Sequence, residues 1–169
     1  MLSSWPALKV AHSGSWVLRS ANGASGRANS VTVLDVEDHT DLVARLDWVE
    51  ARYRAQNLPP CLRISPITPN ALIEEAAKRG YQREETGLIR RKKALSNHSL
   101  DRFDIHIDTS CTDAWLEAFM IGNQRYEKIR STFIAMMRAH SEPTAFIVVR
   151  DEEGMPVTTA MAVAHRDVF

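Results

Sequence analysis

Apolar residues recur along this chain with two periods, about 2 over short stretches and about 3.6 over longer ones, and the switches between them predict the elements. Ser15 to Ser20 (SWVLRS) and Ala28 to Leu34 (ANSVTVL) read as strands, with Val31 and Val33 on one face. The segment around their junction, SANGASGRANSV, resembles a phosphate-binding loop in composition. A phosphate cradle, however, runs from a strand into a helix N-terminus, where free N–H groups meet the anion; this segment runs from strand to strand, so it predicts a hairpin connection. Leu42, Leu46, Val49 and Tyr53 then recur at helical spacing, after DVEDHT, whose acidic residues are expected to cap the helix, and before Leu58-Pro59-Pro60. CLRISPI predicts a strand, and the helix after it takes Thr68 as N-cap, Pro69 at its first position and Gly80 just past its end. Tyr81 to Arg91 reads as a strand or hairpin, and Lys92 to Asn97 as linker.

A second set of elements follows. In RFDIHID, Phe103, Ile105 and Ile107 alternate with polar residues and predict one buried strand face. Trp115 and Phe119 stand four apart in TDAWLEAFMIGN, which Gly122 or Asn123 ends; Tyr126, Ile129, Phe133, Met136 and Met137 make the apolar stripe of a second helix. AFIVVR, a turn at Asp151 to Gly154, and PVTTAMAVAH complete the pattern. The order β-β-α-β-α-β, linker, β-α-α-β-β belongs to an α/β or α+β fold. It divides the chain into a unit at 1–91, a linker at 92–101 and a unit at 102–169.

Composition agrees with a globular domain: 169 residues, 44% of them hydrophobic and 25% charged, without a low-complexity tract. The 21 basic and 21 acidic residues cancel, which removes the global field that general nucleic-acid or anionic-membrane binding needs. No stretch approaches the roughly 20 apolar residues of a membrane span, and the N-terminus lacks a secretory pattern, so a cytoplasmic location is expected. Cys61 and Cys111 have neither metal-site spacing nor a disulfide framework and are expected to be buried, reduced thiols.

The run Asn70 to Thr86, NALIEEAAKRGYQREET, resembles the closing segment of the GNAT acyltransferase fold, a helix, a Gly-aromatic pair and a charged strand. The second unit is similar to the opening half of the same fold: one strand, two helices and a β-hairpin. The resemblance implies a mixed, mostly antiparallel sheet flanked by helices and built here from two incomplete halves, as in the tandem subgroup with a degenerate N-terminal half. It implies N-acetyl transfer from acetyl-CoA to a small-molecule or peptide amine. In such enzymes a loop of pattern R/Q-x-x-G-x-G/A binds the pyrophosphate at a helix N-terminus. That loop is missing here. Its place in the first unit holds DVEDHT, with the anion-repelling Asp35, Glu37 and Asp38, and the family's general-acid tyrosine would fall near Ala76. The second unit stops at His165 to Phe169, about where the family's fourth strand begins, so the chain reads as a truncated, inactive fragment with no cofactor-binding residue and no assigned catalytic residue. The alternative is a binding or interaction module that keeps the fold without the chemistry. The halves are expected either to join in one composite sheet or to leave edges through which two copies pair.

Asn123, Arg125 and Tyr126 lie between the helices of the second unit, where GNAT-like folds line the acceptor pocket, and are the candidate site residues; helix capping and core packing are their ordinary roles. His106 and Asp108 are only a two-ligand fragment on a solvated strand face, so no metal is expected. His140 closes a helix, where an imidazolium would favour the carbonyl dipole, and Arg90-Arg91-Lys92-Lys93 is a short solvated basic run. No Ser/His/Asp or Cys/His grouping suggests a hydrolase.

Overall fold

The computed structural model describes residues 2–84, 87 and 103–164. These form a mixed α+β structure with two mostly antiparallel sheets and four α-helices, consistent with a GNAT-like fold. The first sheet contains β1 (Lys9–Ser13), β2 (Trp16–Ser20), β3 (Val31–Val33) and β4 (Leu62–Arg63) in that order. β1, β2 and β3 pair antiparallel, whereas β4 runs parallel to β3 because α1 (Leu42–Arg54) carries the chain across. β1 was not predicted: KVAHS is a half-exposed edge strand whose polar residues blur the alternation. Gly14 turns the chain from β1 into β2 at φ +58°.

The glycine-rich segment joins two antiparallel strands and closes on its own polar atoms. Asn29 Oδ1 accepts from the N–H groups of Ala21 (2.7 Å) and Gly23 (3.1 Å), and Ser25 Oγ accepts from Ala28 N–H (3.3 Å). Trp16, Leu18, Val31 and Val33 from one sheet face form a core with Leu46, Val49 and Tyr53 of α1 and Leu72 of α2 (Asn70–Lys78). α2 ends in a Schellman pair, Gly80 N–H to Ala77 O (3.0 Å) and Tyr81 N–H to Ala76 O (3.0 Å), with Gly80 at φ +84° as its position demands.

Two capping expectations fail. Asp41 precedes α1 in a left-handed conformation and makes no side-chain cap; Asp38 instead accepts from the Ser15 N–H (2.8 Å) and pairs with Arg45 (2.5 Å). Thr68 Oγ1 accepts from Ser65 N–H (2.8 Å), so it braces the preceding turn rather than capping α2.

The second sheet orders β5 (Asp104–Asp108), β6 (Thr144–Arg150) and β7 (Pro156–Val163), all antiparallel. The halves therefore do not merge into one sheet among the described residues. α3 (Asp113–Gly122) and α4 (Arg130–Arg138), joined by a 3-10 turn over Gln124–Ile129, cover the face bearing Phe146 and Val148. Trp115 stacks on Phe119 (5.2 Å between centroids), Phe119 on Phe133 (4.7 Å), and Trp115 meets Phe146 edge-on (5.1 Å). The predicted buried face of β5 is corrected: Ile107 is 60% exposed, because it shares the uncovered face with its partner Ile147. The core under α3 and α4 also takes in Ala21 and Ala28 and packs Trp5, which lies 6.1 Å from Phe133, so side chains of the first 30 residues help to cover the second set of elements.

Residues 81–84 of the predicted strand at Tyr81 to Arg91 are not a strand. Its remainder apart from Gly87, the linker at 92–101, the basic run at 90–93, His98 and the segment at 165–169 lie outside the described residues.

Candidate functional site

The turn between α3 and α4 brings the three candidate residues together with different surroundings. Asn123 ends α3 and its Nδ2 donates to Phe119 O (3.0 Å). Tyr126 is buried with its ring 4.8 Å from Phe133 and 5.5 Å from Phe119. The exposed Arg125 lays its guanidinium over that ring at 5.0 Å, and its Nη2 reaches the Tyr126 hydroxyl at 3.5 Å. Asn123 is thus tied to helix termination and Tyr126 to the core, while Arg125 faces solvent.

Beside them lies an open groove of about 560 Å³, lined by Glu117, Met120, Ile121, Gln124, Glu127 and Arg130. Glu117, Met120 and Ile121 lie three and four residues apart on α3 and so share one side of it. Ile121 is 63% exposed at the groove wall, and Glu127 pairs with Arg130 at 3.0 Å. No ion pair engages Glu117 among the described residues. The groove thus combines an apolar wall with a carboxylate able to meet a cation. Sequence reasoning placed Gln124 with Asn123, Arg125 and Tyr126 at this turn but did not name Glu117 or Glu127. The available signal was Glu117, an acidic residue inside the otherwise apolar run WLEAFMIG.

Chemistry at the N-terminus of α1 takes another form. In residues 35–41, expected to stand in place of an acyltransferase's pyrophosphate loop, Asp38 is held by Ser15 and Arg45, and Trp16 Nε1 donates to the Asp38 carbonyl (3.3 Å). The Ser15 hydrogen bonds, and after them Arg45, hold the Asp38 carboxyl below the usual carboxylate range, so it is anionic at neutral pH. Exposed Asp35, Glu37 and Asp41 add negative charge around it. These residues do not fit a pyrophosphate. Ala76, where the family's tyrosine would stand, is buried.

α1 and α2 are held together by charge instead. Arg79 bonds Asp47 (2.7 Å), Glu75 (3.1 Å) and the buried Glu50 (3.3 Å), and the Tyr81 hydroxyl donates to Glu50 at 3.3 Å. Burial, reinforced by the Glu50 charge, pushes the Tyr81 phenol well above its ordinary value. The glycine-tyrosine pair therefore has a structural role here: glycine ends the helix and tyrosine ties it back to α1.

His106 and Asp108 lie 3.3 Å apart, and no group of three metal-ligating side chains occurs among the described residues. His140 departs from expectation. It follows the end of α4 with both ring nitrogens buried and unpartnered, and burial holds its imidazole below the ordinary value, which disfavours the cation a helix dipole would want. Both cysteines are free and half-buried rather than fully buried; burial raises both thiols, Cys111 to about 11. No helix among the described residues is long and apolar enough to cross a membrane.

A mixed α+β fold with a helix pair over an antiparallel sheet, and a groove at the turn between the helices, is consistent with a GNAT-like fold. The comparisons with known proteins agree. The family model described as "Probable histone acetyltransferase Rv0428c C-terminal" matches residues 1–160, and the chain belongs to this GNAT-type acetyltransferase family. It is similar to the uncharacterized N-acetyltransferase YobR of Bacillus subtilis (strain 168), with 30% identity over 125 residues, covering 70% of this chain and 48% of the relative. The chain thus spans about half the length of that curated relative. No solved structure matches it. Family membership implies acetyl-CoA as co-substrate and an amine as acceptor.

Proposed function

We propose that this chain is the degenerate N-terminal half and the opening part of the catalytic half of a tandem N-acetyltransferase, divided at 1–91, 92–101 and 102–169, and that its contribution to the reaction is the acceptor side. The observation that carries the reading is the groove between α3 and α4: Glu117 attracts a cationic amine, and Met120 and Ile121 take its apolar stem. Asn123, Arg125 and Tyr126 set the shape of the turn that bounds it. Acetyl transfer joins the amine nitrogen to the thioester carbonyl carbon and breaks the carbon–sulfur bond, the nitrogen losing a proton and the departing thiolate gaining one. In this reading the groups that move those protons, and the loop that holds the cofactor, are not supplied by this chain, which is inactive alone. A small-molecule or peptide amine in the cytoplasm is the acceptor, and neither nucleic acid nor membrane is a partner.

A second reading, a non-catalytic binding module, is favoured by one observation: the loop before α1 is closed on itself through Asp38, Ser15 and Arg45.

Calorimetric titration of the chain with acetyl-CoA tests inactivity. The expected result is no heat of binding. Micromolar binding would show a composite cofactor site and sink the claim that the chain cannot hold its co-substrate. Titration with butylammonium, followed by NMR, tests the groove: shifts at Glu117, Ile121 and Gln124 favour the enzyme reading, and their absence favours the binding module.

A further inference from the structure

The face of the first sheet turned away from α1 and α2 holds a buried charge that the acetyl-transfer reading does not use. Register places Val10 opposite Arg19 and Val17 opposite Thr32; the Arg19 N–H bonds Ser30 O at 3.2 Å, which sets Arg19 beside Ser30. Val10, Val17, Arg19, Ser30 and Thr32 therefore share one face, with Arg63 next to Thr32 on β4. Arg19 is 3% exposed, and among the described residues no carboxylate pairs with it. Its Nη1 donates to Arg27 O (2.7 Å) and its Nη2 to the carbonyls of Leu2 (3.1 Å) and Trp5. Those carbonyls occupy three of the five N–H donors of a guanidinium and bring no full negative charge.

The cavity beside Arg19 points to a missing anion, and two further observations describe its surroundings. Arg19 lines a cavity of about 240 Å³ with Val10, Val17, Ser3, Ala139 and Ser141 among its walls. Ser30 and Thr32, 2% and 8% exposed, have hydroxyl oxygens that are buried without any hydrogen-bond partner among the described residues; they do not line the cavity but leave the sheet face beside Arg19 short of polar partners. Burial, and then the charge of Arg63, pulls the Arg19 guanidinium below its ordinary value, the behaviour of a cation taken out of water. Buried charges are normally paired, and orphaned buried hydroxyls are uncommon enough to need a reason.

We propose that this cavity binds a small oxyanion, a carboxylate or a phosphate group, held by the Arg19 guanidinium with hydroxyl support from Ser3 and Ser141. The site is lined by residues other than those of the acceptor groove and does not depend on acetyl transfer. Two donors of the guanidinium, Nε–H and one N–H of Nη1, are not committed to the carbonyls of Arg27, Leu2 and Trp5, and either can meet an oxyanion as a charge-assisted hydrogen bond.

Thermal unfolding of the chain tests this with inorganic phosphate and, separately, with acetate, each against chloride at matched ionic strength. A saturable rise in Tm at millimolar anion is expected. A rise with phosphate alone identifies a phosphate group as the ligand, and a rise with acetate identifies a carboxylate. Arg19→Gln removes the rise, but it also frees the Leu2 and Trp5 carbonyls and weakens the fold. Ser141→Asp is therefore the decisive variant: it puts a carboxylate on the exposed rim of the cavity, so the anion-free Tm rises and the apparent affinity for added anion drops by about tenfold. No anion-specific rise in the wild-type chain, or a rise of the same size and midpoint in Ser141→Asp, overturns the site.

Discussion

Single positions show how closely local geometry follows from side-chain chemistry. Gly14 turns β1 into β2 at φ +58°, and a Cβ there would stand 2.7 Å from both Arg45 Nη2 and Asp38 Oδ2. Gly14→Ala therefore combines left-handed strain with a clash against the ion pair that holds the loop before α1, and chemical denaturation should report a loss of about 1–3 kcal/mol. A change below a few tenths would mean that Arg45 swings away freely. His140 makes a pH prediction with a definite sign. Its folded-state imidazole sits below the ordinary 6.5, so as pH falls through that value the unfolded chain takes up a proton that the folded chain refuses. Stability contributed by the neutral ring is complete above about pH 6.5 and declines as the solution becomes more acidic. His140→Leu should flatten Tm against pH over that range, and an unchanged slope would exclude His140 as the cause.

Elements built on spacing alone were the most legible. Trp115 and Phe119 four residues apart on α3, and Phe133, Met136 and Met137 three and four apart on α4, predict the aromatic stack and the core that the structure contains. Phe133 lies at the centre, in ring contact with Trp5, Phe119 and Tyr126, and Phe133→Ala should remove about 3–5 kcal/mol of stability. A loss under 1 kcal/mol in urea unfolding would mean that Trp5 collapses into the space. Less legible were features set by what lies across a sheet. Alternation marks Ile105 and Ile107 as one face of β5 but does not say which face the helices cover, and they cover the other one. Asp41 and Thr68 look like caps, yet Asp41 makes no side-chain bond and Thr68 braces a turn. The groove was half visible: the turn at residues 123–126 was identified, whereas Glu117 and Glu127 were not, since they come together only because α3 and the 3-10 turn face each other. Arg19, Ser30 and Thr32 are unremarkable in sequence, because only the pairing of β2 with β3 brings them side by side.

Among the described residues the two sheets end in edge strands whose chemistry differs. β5 carries Asp104, His106 and Asp108, which oppose pairing with a like strand, and β4 has only two residues. β7 has eight residues, PVTTAMAV, without one charge, and beside it Ala160 and Ala162 share the uncovered face with Ile147 and Ile107. An uncharged edge of that length, continuous with an apolar face, has the chemistry with which a second copy could add its own β7 and extend the sheet, and that gives a prediction. Pairing about a two-fold axis would set the two uncharged strands antiparallel and draw the apolar faces of both copies into one surface. The expected result of size-exclusion chromatography with light scattering is a dimer at micromolar concentration. Thr158→Lys puts a charge at an exposed β7 position without touching the core under α3 and α4, and should give a monomer of unchanged Tm. A wild-type chain that elutes as a monomer at every concentration would rule out the edge as a self-association site and leave it to a strand from another source.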